Sequence, residues 1–417
     1  MRIRNALALL VVWALISSVS SFCSDLALVH ARIYPSPTDP PIPDGTILVH
    51  NGRISAIGPA ARIKVPRFAW AGTVLNCQGL VVTAGFWNSH VHIFTPGLLH
   101  AEMRSSDEIS SQLEQMLTRW GFTTVFDTAS VLDNTNNIRR RIGKGDVRGP
   151  RILTVGEPFY PKGGTPVYVK EFIEANHIPS AEVQSIPQAV ERVRQQISHG
   201  ADGIKIFAGA ITAAGVLPMP MDVAKAIVSQ AHRAGKPVFA HPSNAEGIEV
   251  AIQSGVDVLA HTAPMSGDWT PAFAARLKAA HMALIPTLTL FDVEAKKAKV
   301  SPEENEMWIR QAVQELKAYS DEGGEILFGT DVGYIDHFDT ALEFTLMSRA
   351  GMTFQQILAS LTTSPAARFG YSSHSGRIAK AMDADLVVLE GDPADDVTAF
   401  SRVHQVIRGG KLIFPVP

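Results

Sequence analysis

Short apolar runs alternate with stretches of helical period through the middle of this chain, and that alternation limits the architectures open to it. The runs are "LVVTAGFWNSH", "TTVFDTA", "RILTVG", "GIKIFAG", "PVFAH", "VDVLAH", "ALIPTLT" and "ILFGTD". Between most of them stand segments such as "SSDEISSQLEQMLTRWG", "SIPQAVERVRQQISHG", "MDVAKAIVSQAHRAG" and "TPAFAARLKAAH", which repeat their apolar residues at helical spacing. Eight strand and helix alternations predict an α/β fold, a closed (β/α)8 TIM barrel. An open doubly wound sheet satisfies the same pattern, because strand order leaves no mark on one sequence.

The flanks have a different texture. From Leu26 to about Cys77, and again from Gly376 onward, short apolar runs are broken by turn signals such as "DG" and "NG". Both chain ends are therefore expected to build one small β-sandwich domain, over residues 23–81 and 371–417, around a barrel over 82–370. The longest non-helical stretch is read as 157–179, "EPFYPKGGTPVYVKEFIEANHIP". On a barrel it lies at the C-terminal face, where substrates bind.

Residues 1–22 read as a signal peptide: Arg2 and Arg4, an apolar run from Ala6 to Ile16, then small polar residues. The run is shorter than the roughly 20 residues needed to span a bilayer, so cleavage and export, periplasmic or secreted, are expected rather than a stable membrane anchor. Phe22 before Cys23 argues against a lipidated N-terminus. With only Cys23 and Cys77 present, one bridge or two thiols remain open. The 37 basic and 40 acidic residues are dispersed, which excludes a nucleic-acid footprint and leaves a small-molecule or peptide substrate as the expected partner. A homo-oligomer is neither required nor excluded.

His90 and His92 stand two apart in "AGFWNSHVHIF", so on a strand both point to one face, as metal-ligating imidazoles do. An isolated pair of this kind is more often two solvated histidines. The weighting changes because His241, His261 and Asp331 each close another apolar run, and polar groups at several strand tips are what a barrel active site requires. Lys205, between Ile204 and Ile206, reads as buried. Burial favours its neutral amine, which can add carbon dioxide and become a carbamate able to bridge two cations. Neutralisation by Asp127 or Asp202 is the plainer alternative. His30, His50 and His404 fall in the sandwich segments, and His199, His232 and His281 end helical text, where structural or capping roles suffice.

The ordered set "HVH", "GIKIF", "FAHPSN", "LAHT" and "FGTD" resembles the amidohydrolase superfamily of metal-dependent hydrolases, and its branch of dipeptidases, Xaa-Pro dipeptidases included, with imidazolonepropionase more distant. "DGTILVHNGRISAIGP" and "TTSPAARFGYSSHSGRIAKAMDADLVVLEGDP" are similar to that superfamily's sandwich segments. The resemblance implies a (β/α)8 barrel with a β-sandwich. It also implies two divalent metal ions, zinc by first choice, one held by His90, His92 and Asp331 and the other by His241 and His261. Carboxylated Lys205 and a hydroxide bridge them. Asp331 then passes the proton from that hydroxide to the leaving nitrogen of an amide, N-acyl amino acid or dipeptide.

This sequence departs from the pattern at Ala84, before Gly85, at Asn88, two residues ahead of His90, and at Ser243 and Asn244. Deaminases of the superfamily place a Glu where Asn244 stands. A mononuclear cyclic-amide hydrolase or deaminase, and a non-catalytic barrel binding protein, are the rival expectations. Tyr160, Lys162, Tyr168, Tyr334 and His337 are contacts by position only, and for each an ordinary solvated loop residue is the favoured expectation.

Overall fold

The computed structural model describes residues 25–65 and 72–415. The expected signal segment and Cys23 lie outside them, while Cys77 is buried in the core of the sheet formed by the chain ends. In that sheet Leu26–Ile33 pairs antiparallel with Ile42–His50 and parallel with Thr73–Asn76 and Leu80–Ala84. Leu80–Ala84 pairs antiparallel with Leu386–Glu390, and Val403–Arg408 and Lys411–Phe414 continue the sheet. The "NG" turn is legible in the backbone: Asn51 and Gly52 have φ of 51° and 75°, as a two-residue hairpin between Ile42–His50 and Arg53–Pro59 demands. Alternate residues such as Leu28, Ile47, Val82 and Val388 fill one apolar cluster.

The middle of the chain forms two parallel arcs. Phe86–Val91, Phe122–Asp127 and Arg151–Thr154 make one; Ile204–Phe207, Val238–His241, Val258–Ala260 and Ala283–Ile285 make the other. Helices connect successive strands, among them Ile186–Ser198, Met221–Arg233 and Ala245–Ser254. Isolated hydrogen bonds join the arcs. Phe159 donates to the Lys205 carbonyl at 2.8 Å and Phe207 donates back at 2.9 Å; Leu327 donates to Leu284 at 2.9 Å, and Ser89 to Phe328 at 2.7 Å. Trp87, Phe126, Leu153, Phe239, Val258, Ile285 and Leu327, from seven different runs, pack in one buried cluster. The architecture is α/β.

Three expectations need correction. "LVVTAGFWNSH" is two strands. The break falls at Gly85, where a Cβ would collide with the Thr123 side chain, so Leu80–Ala84 joins the outer sheet and Phe86–Val91 the inner one. The stretch 157–179 contains the helix Val167–Ala175, started at Pro166 and held by Phe172 against Phe94, ring centroids 5.0 Å apart. Finally, "ILFGTD" is not a regular ladder strand, since its backbone bonds are divided between Leu284 and Ser89.

Candidate metal centre

His90, His92 and Asp331 converge. Their ligand atoms lie within 4.8 Å of one another, and all three residues are buried. Asp331 Oδ1 stands 3.1 Å from His90 Nε2 and 2.8 Å from His92 Nε2. His92 Nδ1 lies 2.9 Å from the Ala129 carbonyl. A carbonyl only accepts, so Nδ1 carries the hydrogen and Nε2 turns its lone pair toward Asp331. A lone pair facing a carboxylate oxygen is favourable only with a proton or cation between them, and His90 Nδ1 is a buried atom with no partner. This donor set fits a divalent cation.

The remaining candidates line the same cavity, of about 550 Å³. Ring centroids run His92 to His90 at 5.1 Å, His90 to His261 at 4.6 Å, and His261 to His241 at 4.8 Å. His261 Nδ1 lies 2.7 Å from Thr287 Oγ1, whose hydroxyl donates to the Pro286 carbonyl at 2.9 Å. Thr287 therefore accepts from His261, which leaves Nε2 free as a ligand atom. His241 is held by stacking on Phe207, centroids 4.6 Å apart. His241, His261 and Lys205 stand outside the tight group of three.

Burial, and after it the charge of Lys205, lowers His90 and His241 to about 3; burial and His90 hold His261 well below its ordinary value. Neutral imidazole is the form that binds metal. Burial of Asp331 works to raise it, but His90 and His92 prevail and hold the carboxyl well below the usual range. Lys205, 2% exposed, is lowered to about 7 by burial. The carboxylates that the sequence suggested as its partners are engaged elsewhere. Asp127 accepts from Ser130, Thr135 and Thr154, and Asp202 pairs with Arg139 at 3.1 Å.

Local backbone explains why these residues present themselves. Asp331 and His261, at the ends of their runs, have φ of 62° and 79°, a region non-glycine residues enter where surroundings impose it. Gly329 permits the approach, since a Cβ there would stand 2.8 Å from His90 Cβ. Asn88 spans the same junction. Its Nδ2 donates to Thr330 Oγ1 at 2.7 Å, and its Oδ1 accepts from the backbone of His90 and Thr330, each at 3.2 Å.

The amidohydrolase family model matches residues 81–413 of this chain. The chain belongs to the amidohydrolase family. It is accordingly a hydrolase acting on carbon–nitrogen bonds, from a family that generally uses divalent metals. Imidazolonepropionase of Thermoplasma acidophilum is 23% identical over 88% of this chain and 89% of its own length. Ochratoxinase of Aspergillus niger is 24% identical over 89% of the chain and 83% of its own. A crystal structure of a Xaa-Pro dipeptidase with bound methionine superposes with a TM-score of 0.79, at 23% identity, covering 93% of this chain and 99% of that one. These relatives fall in the branch that the motifs suggest.

Within this family member the departures acquire roles. Asn244 caps the helix Ala245–Ser254, its Oδ1 accepting from Gly247 N at 2.9 Å, and Ser243 donates to the Gly209 carbonyl at 2.8 Å. Tyr160, expected to be solvated, is buried; Tyr168, exposed as expected, and half-buried Tyr334 line the cavity with it, and Lys162 and His337 are exposed as expected. Tyr168 and Tyr334 meet edge to face at 5.3 Å, which long-range pairing hid from the sequence. Sequence reasoning also missed Thr287 and the helix Leu288–Ala298, which turns Leu290, Phe291 and Glu294 toward the cavity. The available signal was "IPTLTLF", a strand that stops at Pro286 directly before helical text. His30, His50 and His404 pair at the surface with Asp44, Asp25 and Glu390. His199 closes the helix Ile186–Ser198, His232 pairs with Asp257 at 2.8 Å, and His281 follows the helix Pro271–Ala279.

Proposed function

We propose that this chain is a binuclear metal-dependent amidohydrolase that hydrolyses the C–N bond of a small amide, N-acyl amino acid or dipeptide. The observation that carries this is the convergence of His90, His92 and Asp331 on the cavity that also receives His241, His261 and buried Lys205, whose sequence-suggested partners Asp127 and Asp202 are engaged elsewhere. His90, His92 and Asp331 would hold one ion and His241 and His261 the second, with Lys205, as its carbamate, between them. Zinc suits imidazole and carboxylate donors. When bound, such ions lower the pKa of water toward neutrality and polarise a carbonyl. Asp331 accepts the proton of the attacking water and returns it to the amide nitrogen, a poor leaving group until protonated. Thr287 and the Ala129 carbonyl keep His261 and His92 in their ligating tautomers.

A mononuclear enzyme is the second reading, because only His90, His92 and Asp331 form the tight group among the described residues. Metal per chain decides between them. Wild-type protein reconstituted with zinc should hold two ions and Lys205→Ala at most one, with turnover lost; one ion and undiminished turnover in Lys205→Ala would sink the bridge. We also propose that the two parallel arcs are parts of one (β/α)8 barrel running to about 370, its start moved from the expected 82 to Phe86 because Leu80–Ala84 pairs in the outer sheet, with the chain ends as the sandwich. The N-terminal pattern of Arg2, Arg4 and the Ala6 to Ile16 run supports export to the periplasm or medium.

A further inference from the structure

We propose that the site selects amides that carry no free carboxylate, neutral or cationic molecules with an aromatic or otherwise apolar body. The inference rests on the hydrolase reading and narrows its substrate. Outside the candidate ligands the cavity wall is mainly apolar, with Phe94, Phe207, Phe291, Trp308, Tyr168 and Tyr334 among its residues. The aromatic surface begins at the ligands themselves, with Phe94 5.2 Å from the His92 ring and Phe207 4.6 Å from His241, centroid to centroid. An apolar wall of this kind favours burial of an apolar body and offers a carboxylate no hydrogen bond.

Among the described lining residues, the one charged side chain beyond the six candidates is Glu294. Its carboxylate pairs with Lys297 Nζ at 2.9 Å, and that ammonium also lies 4.8 Å from the centroid of the Tyr334 ring. Lys297 is thus committed to Glu294 and is absent from the wall. Away from the candidate ligands, a carboxylate-bearing substrate would leave water for an apolar wall and for Glu294, whose paired ammonium does not line the cavity, and burying such a charge is costly. A neutral amide meets no such barrier. An ammonium, by contrast, would meet Glu294 in exchange for Lys297, whose side chain is half exposed.

The test uses two molecules that differ only in the carboxylate, N-(phenylacetyl)pyrrolidine and N-(phenylacetyl)proline, with zinc-reconstituted full-length protein. Binding is measured by titration calorimetry and hydrolysis by release of the secondary amine. The pyrrolidine amide should bind at least about tenfold more tightly and be cleaved in preference. In Glu294→Gln the affinity ratio should shrink by about threefold, and in Glu294→Lys it should invert. Equal or tighter binding of the proline compound to wild type, binding of neither, or a ratio unmoved in both variants overturns the proposal. Preferential binding of the pyrrolidine amide with cleavage of neither compound would uphold the selectivity and defeat the hydrolase reading. Equal binding and cleavage of both would do the reverse.

Discussion

The two sides of the candidate centre are built by different forces. On one, His90 and His92 set Nε2 atoms 3.1 and 2.8 Å from a single oxygen of Asp331, an arrangement that a cation between them holds together, so charge fixes the geometry. On the other, His241 rests on the Phe207 ring and His261 on one hydroxyl, so packing and a neutral hydrogen bond fix it. A site held by charge fails when the charge is removed. One held by packing loses precision instead, because a neutral hydrogen bond contributes less than one to an ionised group.

The largest effect expected from that contrast is at Asp331. Asp331→Asn keeps the shape but removes the charge shared by His90 and His92 and the proton acceptor of the proposed reaction. Turnover should fall roughly 10²- to 10⁴-fold, measured as kcat alongside metal per chain. Turnover within about twofold of wild type would remove Asp331 from its proposed role.

Thr287 tests the other side. Thr287→Val keeps the branched shape at the start of the helix Leu288–Ala298 but leaves His261 Nδ1 without its acceptor. Affinity for the second ion should weaken roughly 10- to 100-fold, read by chelator competition, while the first ion stays bound. Thr287→Ser should restore most of the loss. The anchoring is deep: buried Glu343 accepts from Leu288 N at 2.8 Å and Thr289 N at 2.7 Å, which fixes the turn in which Thr287 holds φ of 45°. Equal weakening of both ions in Thr287→Val would erase the distinction between the sides.

The same contrast explains what could be read from the sequence. His90 and His92 share a strand, so period-two geometry puts them on one face, and the residues that close "PVFAH", "VDVLAH" and "FGTD" follow from the ends of apolar runs. Local periodicity carries all of that. It does not carry Tyr168 against Tyr334, Thr287 under His261, or Asn88 across to Thr330, because these pairs are separated by up to 242 residues and are created by the curvature of the arcs. Lys205 lies between these cases. Its burial was legible from Ile204 and Ile206, but only the fold shows Asp127 and Asp202 spent on other partners. The helix inside 157–179 escaped for a propensity reason, since "VYVKEFIEA" mixes β-branched and aromatic residues that are middling helix formers without tertiary support.

Asn244 offers the smallest effect and a sharp one. It stands on the packed side, three residues after His241, at the position where deaminases of the superfamily place a Glu. Here its side chain accepts from Gly247 N at 2.9 Å and begins the helix Ala245–Ser254. An N-cap replaced by alanine costs about 1 kcal/mol. Asn244→Ala should therefore lower the urea midpoint by an amount equivalent to that cost, while kcat stays within about twofold of wild type, because a cap contributes to the folded state and not to proton transfer. A loss of turnover by two orders of magnitude, about 10²-fold, with the midpoint unmoved would place Asn244 in the chemistry instead. It would also show that the His241 side is held for catalysis by more than packing.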